Sequence, residues 1–141
     1  MEKVAFALDT DGEWPPFATE HVWCEKTGTI YQLKNVPFFI RGLAFDDKFS
    51  AEPDPVNGCV FEFTVLESSG RSLVWILEQD EVTFGHYEGE LLGLGLSVQG
   101  FPGLGLYAVD VPAAVDGEAV NALMDRLEGL GSSMAFSVWR H

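Results

Sequence analysis

The order of apolar and polar positions divides the chain into a β-rich first half and a mixed second half. From Glu20 to Leu77, short apolar stretches alternate with turn-forming residues, a pattern typical of strands joined by tight turns. The segments "EHVWCEK" and "TIYQLKNV" stand on either side of Thr27-Gly28. This arrangement predicts a β-hairpin.

The next apolar stretches predict two further strands. Asn35 and Pro37 suit a corner, and the run "FFIRGLAF" after them predicts a strand with Gly42 as a bend or bulge. The segment "CVFEFTVL" alternates, so it predicts a strand. Its inward face is expected to carry Phe61, Phe63 and Val65.

The second half changes to a helical period. Residues 80–94 predict a helix, since apolar side chains recur at helical spacing at Val82, Phe84, Tyr87, Leu91 and Leu94. The same segment has a stripe of glycines that would let a neighbouring backbone approach, at Gly85, Gly89 and Gly93.

The end of the chain predicts a hairpin, a helix and a closing strand. "LSVQGF" and "GLYAVDV" flank a Pro-Gly turn, and "SMAFSVWR" has the composition of a strand. Between them, Asp116 is the expected N-cap of the best helix in the chain, whose apolar face comprises Val120, Leu123, Leu127 and Leu130.

These elements predict an α+β fold in two parts. Residues 1–19 are expected to be an irregular lead-in, because "DTDGEWPPF" disfavours both helix and inner strand. Residues 20–71 are expected to form a small SH3/OB-like β-barrel or a curled sheet. Residues 72–141 have the β-α-β-β-α-β order of a ferredoxin-like fold. The two parts are either separate or one continuous domain.

The charge balance restricts the possible partners. The 141 residues contain 22 Asp and Glu against 8 Lys and Arg, a net charge of −14 spread along the whole chain. Such a surface repels phosphate backbones and anionic lipid, so we expect no nucleic-acid or membrane partner. It would speed encounter with a basic protein, although solubility alone is an equally good explanation. Without a visible signal peptide or spanning segment, the chain is expected to be cytoplasmic, as a monomer or weak homodimer.

No motif indicates catalysis, a cofactor or a metal. His21, His86 and His141 are scattered, and the separation of Cys24 and Cys59 matches no zinc or redox spacing. The glycine-rich segment 93–105 follows a predicted helix and flanks a hairpin, whereas a dinucleotide loop follows a strand and opens a helix. We therefore expect two reduced thiols, no metal, no cofactor and no enzymatic activity.

The acidic pair Asp46-Asp47 is the sharpest candidate for acid–base chemistry. Adjacent strand residues point to opposite faces, so the two carboxylates converge only within a turn. A solvated turn between strands explains the pair better than a catalytic dyad does.

The segment Tyr31–Pro53 resembles an uncharacterised bacterial domain family that carries an Asn-x-Pro-Phe-Phe motif, a small-residue step and an Asp before a strand. The corresponding residues here are Leu33, Asn35, Pro37, Phe38, Phe39, Gly42, Leu43, Ala44 and Asp47. The family also tends to carry "AVDVP", as at Ala108–Pro112. The resemblance implies a barrel-plus-ferredoxin-like build and no established reaction. Some members look like immunity proteins of secreted antibacterial toxins.

The functional prediction that follows is an immunity (antitoxin) protein that occludes the active site of a basic cognate toxin. The predicted contact residues are Trp14, Asp46, Asp47, Glu52 and Asp54. The run Phe38–Ile40 is expected to be mainly structural, with partner contact by an exposed Phe as the lesser option. The alternative function is a small-ligand-binding or regulatory module that uses the ferredoxin-like half.

Overall fold

Two units make up the computed structural model, which describes residues 1–78 and 81–141, with the backbone alone for residues 81–83. The first unit spans Met1–Ser69 and the second spans Gly70–His141. Both contain antiparallel sheets, and the second adds two helices, so the α+β class is confirmed.

The first unit is a five-stranded antiparallel sheet whose strands neighbour one another in chain order. Its strands are β1 (Glu2–Ala7), β2 (Thr19–Thr27), β3 (Ile30–Leu33), β4 (Lys48–Ala51) and β5 (Phe63–Glu67). The predicted hairpin is confirmed. Strand β2 pairs with β3, and the paired positions run from Cys24 opposite Leu33 to Thr27 opposite Ile30. Gly28 makes the turn at φ +64°, a conformation that glycine adopts without steric cost.

Alternate residues of these strands build the core of the first unit. One face of the sheet buries apolar side chains that include Val4, Phe6, Val22, Cys24, Tyr31, Leu33 and Phe49. Tyr31 stacks on Phe49 with ring centroids 5.4 Å apart. Burying aromatic side chains contributes both apolar area and favourable ring geometry.

The predictions of an irregular lead-in and of a barrel need correction. The expected irregular lead-in is wrong for Glu2–Ala7, which is a strand because Val4 and Phe6 alternate into the core and the backbone pairs with β2. The sheet is also not closed into a barrel. An isolated bridge joins Phe6 to Val60, with Ala7 N–H donating to the Val60 carbonyl at 2.8 Å, but no continuous ladder joins β1 to β5.

The predicted strand "FFIRGLAF" is also wrong, since residues 38–45 form turns and irregular chain. The Glu20 carboxylate accepts hydrogen bonds from the backbone N–H groups of Phe38, Phe39 and Ile40 at 2.7, 2.9 and 3.0 Å. Successive N–H groups point to opposite sides of a strand, so three that converge on one carboxylate exclude a strand. Phe39 and Ile40 are buried, as a structural role for this run requires.

The facing predicted for residues 61–65 is only partly correct. Phe63 and Val65 pack against the core, but Phe61 is 60% exposed. The reason is that β5 begins at Phe63, and the chain before it is turned by the bridge that buries Val60.

The second unit follows the predicted order of elements. It consists of β6 (Ser72–Leu77), α1 (Glu81–Gly93), β7 (Ser97–Phe101), β8 (Leu106–Val111), α2 (Gly117–Gly129) and β9 (Ser133–Val138). The strands form one antiparallel sheet in the order β7-β8-β6-β9, with β6 between β8 and β9. The hairpin at the Pro-Gly turn and the closing strand are therefore confirmed.

The helices of the second unit cover its core. Asp116 is the N-cap of α2, and its carboxylate accepts a hydrogen bond from the Glu118 backbone N–H at 3.0 Å. Phe84 and Leu91 of α1 are buried, whereas Asp80 and the Val82 side chain lie outside the described residues. Within the described residues, nothing lies within 4 Å of a Cβ placed at Gly85, Gly89 or Gly93, so the expected close backbone neighbour is not found there. Among the described residues, neither helix has the length and apolarity needed to cross a bilayer.

Candidate functional site

The predicted acidic pair lies in the turn that leads into β4. Asp46 has a left-handed backbone (φ +67°), which Asp tolerates better than most residues. Its carboxylate lies 2.8 Å from Lys34 Nζ. This hydrogen bond, together with the negative charge of Asp46, raises the pKa of Lys34. The Lys34 ammonium in turn offsets the charge that Asp46 offers to a partner.

Asp47 holds the turn together from the inside. It is fully buried, and its carboxylate accepts hydrogen bonds from the backbone N–H groups of Ala44 and Ser69, both at 2.9 Å. A side chain without exposed surface cannot touch a partner of the folded chain. The contact role predicted for Asp47 is therefore replaced by a structural one, and the two carboxylates do not converge.

Two of the predicted contact residues, Glu52 and Asp54, lie together on a groove at the β4–β5 end of the sheet. This groove encloses about 940 Å³. We call it the acidic groove and define it by Tyr31, Glu52, Asp54, Phe61, Glu62 and Phe63. Asp46, Asp47 and Trp14 do not line it.

The strands and turns of the first unit fix the groove. Tyr31 of β3 supplies a buried aromatic surface that is supported by Phe49. Asp54 accepts hydrogen bonds from the backbone N–H groups of Val56 and Asn57 at 2.8 and 3.3 Å, so its carboxylate fixes the following turn. The groove is thus a formed part of the fold.

Negative charge and exposed apolar surface occur side by side at the groove. Glu52 and Glu62 are exposed, and Phe61, which also lines the groove, is 60% exposed. Lys26 is the lining cation, and its ammonium lies 5.3 Å from the Tyr31 ring centroid. Three lining carboxylates against one ammonium leave the groove negative, so it favours cationic groups that also carry apolar surface.

Trp14 lies elsewhere in the first unit. Its indole is 42% exposed and packs edge-on against Phe39 at 5.9 Å, and Phe17 packs against the same ring at 5.9 Å. Through these contacts Trp14 and Phe17 hold the chain between β1 and β2 against Phe39. The exposed part of the indole is still available to a partner.

One polar cluster in the second unit was not anticipated from the sequence. Ser72 Oγ lies 2.5 Å from His141 Nδ1, and His141 Nε2 lies 2.8 Å from the Pro112 carbonyl oxygen. This spacing resembles a nucleophile–base pair. However, Ser72 is fully buried and accepts a hydrogen bond from the Arg140 backbone N–H, so a substrate cannot reach the hydroxyl. The cluster instead ties the segment after β9 to β6.

The two cysteine side chains differ in burial, since Cys24 is buried and Cys59 is half-buried. Cys24 and Cys59 are both free thiols, and burial, helped by the charge of Glu2, raises the pKa of Cys24 to about 12. Within the part of the chain that the structure describes, no three His, Cys, Asp or Glu side chains are grouped to hold a metal ion.

Sequence reasoning missed Phe61 and Glu62 as site residues. The alternation in "CVFEFTVL" assigned Phe61 to the core, and an exposed Glu on a strand carries no distinguishing signal. The turn signal in "EPDPVNG" beside this strand was the available hint, because surface loops next to a rigid sheet often carry binding residues.

Comparison with known proteins identifies a family but no activity. The model of a domain of unknown function, DUF4265, matches residues 20–134. No curated protein matches the chain significantly. The fold is similar to the crystal structure of a hypothetical protein from Neisseria gonorrhoeae, with a TM-score of 0.68 over 98% of this chain and 96% of the other. At 13% identity, this likeness establishes the fold alone.

Proposed function

This chain belongs to the DUF4265 family of domains of unknown function, and we propose that it is a cytoplasmic immunity protein that binds a basic toxin and blocks its active site. The acidic groove is the observation that carries the proposal. It combines exposed carboxylates with an exposed phenylalanine on a preformed surface.

The charge of the whole unit supports the same kind of partner. Residues 1–69 contain 12 Asp and Glu against 5 Lys and Arg. An anionic protein attracts a cationic one at distances up to the Debye length, about 8 Å at physiological salt, and so raises the association rate. Lys and Arg side chains of the partner would then meet Glu52 and Glu62.

Phe61 supplies the part of the binding energy that charge does not. Charge complementarity mainly sets specificity and the association rate, whereas buried aromatic anchors dominate affinity. A ring that is 60% exposed in the free chain can lose this exposed area when a partner covers it. Blocking a cleft in the partner would use both the charge attraction that speeds association and the burial of the Phe61 ring.

The second unit is assigned a supporting role in this proposal. We infer a ferredoxin-like arrangement, which is supported by the β-α-β-β-α-β order and by the strand order β7-β8-β6-β9. We infer an SH3/OB-like relation for the first unit, which is supported by its five antiparallel strands and by the isolated Phe6–Val60 bridge, although the sheet is not closed.

The proposal is tested by isolating the partner and measuring protection. Tagged chain is purified from its native cells at low salt, and the retained proteins are identified and expressed alone. We expect a basic protein that arrests growth, and we expect co-expression of this chain to restore growth. A Glu52→Gln, Glu62→Gln double variant should protect poorly, whereas the matched Glu88→Gln, Glu128→Gln variant, which neutralises exposed helix residues, should protect fully. A retained protein that is harmless, or equal protection by both variants, would contradict the proposal.

A further inference from the structure

The edge of the first sheet at β5 (Phe63–Glu67) lies directly beside the acidic groove. β5 is the last strand in the order β1-β2-β3-β4-β5, and its ladder is made with β4 alone. In the described part of the chain, no other backbone hydrogen bond involves residues 63–67. Every second residue of an antiparallel edge strand directs its N–H and C=O away from the sheet, so this edge presents unused donors and acceptors.

The side chains along this edge are accessible and mostly acidic or apolar. Thr64 and Glu67 are exposed, and Leu66 is 53% exposed. Glu62 precedes the strand, and Glu67, which is exposed and whose carboxylate lies 3.6 Å from Lys48 Nζ, ends it. The edge therefore has a carboxylate at each end and apolar surface between them.

From this juxtaposition we propose that β5 receives an extended, lysine- or arginine-bearing segment of the partner as an added antiparallel or parallel strand. Strand addition supplies backbone hydrogen bonds that do not depend on the partner's sequence, and neighbouring pockets select its side chains. Side chains of an extended segment alternate between two faces, so basic residues at every second position form one row beside the acidic groove. The inference rests on the proposed function and specifies how the basic partner is held.

Charge complementarity selects a basic segment over a second copy of this chain. Pairing two β5 edges would place Glu62 and Glu67 of one copy close to the same carboxylates of the other. Like charges opposite one another destabilise strand pairs, and natural proteins use edge charges to prevent such self-pairing. The same carboxylates attract Lys and Arg.

The test uses the full chain and three synthetic peptides of about ten residues, the upper range of strand length. One is an alternating Lys-Val peptide, the second is the same peptide with every backbone nitrogen methylated, and the third is an alternating Glu-Val peptide. Methylation keeps the charge and removes every N–H donor. Affinity is measured by titration, and amide exchange locates the bound peptide.

We expect the Lys-Val peptide to bind and to slow amide exchange within residues 63–67. The methylated and Glu-Val peptides should bind at least about tenfold more weakly. A Glu62→Gln, Glu67→Gln variant should weaken binding of the Lys-Val peptide, and the matched Glu88→Gln, Glu128→Gln variant should not.

Each contrary result has a separate meaning. Equal binding of the methylated peptide, or slowed exchange outside residues 63–67, would overturn strand addition and leave the proposed binding of a basic partner intact. Slowed exchange at 63–67 that depends on protein concentration without peptide would overturn the choice of a foreign strand in favour of a second copy. Failure of the Lys-Val peptide to bind would overturn the inference, while growth protection by the chain would still test the proposed function independently.

Discussion

The Asp47 carboxylate accepts a hydrogen bond from the Ser69 backbone N–H at 2.9 Å, across 22 positions of sequence. Because Asp47 is fully buried, replacing it with alanine leaves backbone donors without an acceptor. We expect Asp47→Ala to lower the free energy of unfolding by about 1–3 kcal/mol. Urea denaturation of the variant and of the wild type measures this loss.

The control for this prediction is Asp9→Ala, which removes an exposed carboxylate from the same unit. Its free energy of unfolding should stay within about 0.5 kcal/mol of the wild type. If Asp47→Ala proved as stable as this control, the stabilising role assigned to the Asp47 carboxylate would be wrong.

Glu20 makes a second prediction, which concerns pH. Burial of the Glu20 carboxyl raises its pKa above 4.5, and the hydrogen bonds from Phe38, Phe39 and Ile40 offset this only in part. A carboxyl with a raised pKa in the folded state binds protons more tightly there than in the unfolded chain. Its contribution to stability is therefore largest at low pH and falls as pH rises through the raised pKa.

The variant Glu20→Gln removes this titration. At neutral pH it should also cost about 1–3 kcal/mol, since an amide NH₂ replaces one carboxylate oxygen that accepts from the backbone. Denaturation across the acid range should show the stability advantage of the wild type over the variant growing as the pH falls. An advantage that grows with rising pH would mean that the pKa is lowered in the folded state.

Gly105 has a third testable role in the turn between β7 and β8. It has φ +63°, and an added Cβ would lie 2.1 Å from the Glu78 carbonyl oxygen. We expect Gly105→Ala to lower the free energy of unfolding by about 3 kcal/mol or more, because the backbone must move. Gly103, in the same turn at φ +82°, has open space around its Cβ position. Gly103→Ala should cost only about 1–2 kcal/mol of conformational strain, and equal losses in thermal denaturation would contradict the close approach.

The two thiols should differ in reactivity. With its pKa at about 12 and no exposed surface, Cys24 forms almost no thiolate at pH 8, whereas Cys59 is half-buried. A thiol-disulfide reagent should therefore modify one thiol per folded chain and two per unfolded chain. In the Cys59→Ser variant the folded chain should not react. Rapid reaction of that variant would show that the core around Cys24 opens readily.

Local patterns predicted the parts of the fold that depend on near neighbours. The β2–β3 hairpin follows from Thr27-Gly28, and α2 follows from its apolar spacing and the Asp116 cap. The strand Glu2–Ala7 was missed because the Asp, Gly and Pro residues after it dominated the interpretation, although Val4 and Phe6 already alternate.

The features that local patterns did not predict depend on contacts between residues far apart in the sequence. The run 38–45 looks like a strand, but its backbone donors are taken by Glu20, which lies 18 to 20 positions away. Asp47 looks solvated, but one of its donors is Ser69. The acidic groove depends in the same way on the pairing of β4 with β5, which exposes Phe61 and Glu62 beside Glu52.

The most direct test of a charge-steered partner at the acidic groove is the association rate of the purified partner with this chain. Stopped-flow measurements at about 0.05 M and about 0.5 M salt vary the screening of exposed charges. We predict that the rate falls about tenfold or more at high salt, and that Glu52→Gln with Glu62→Gln slows association at low salt while Glu88→Gln with Glu128→Gln slows it much less. A rate that is independent of salt, or the same loss in both double variants, would contradict the account.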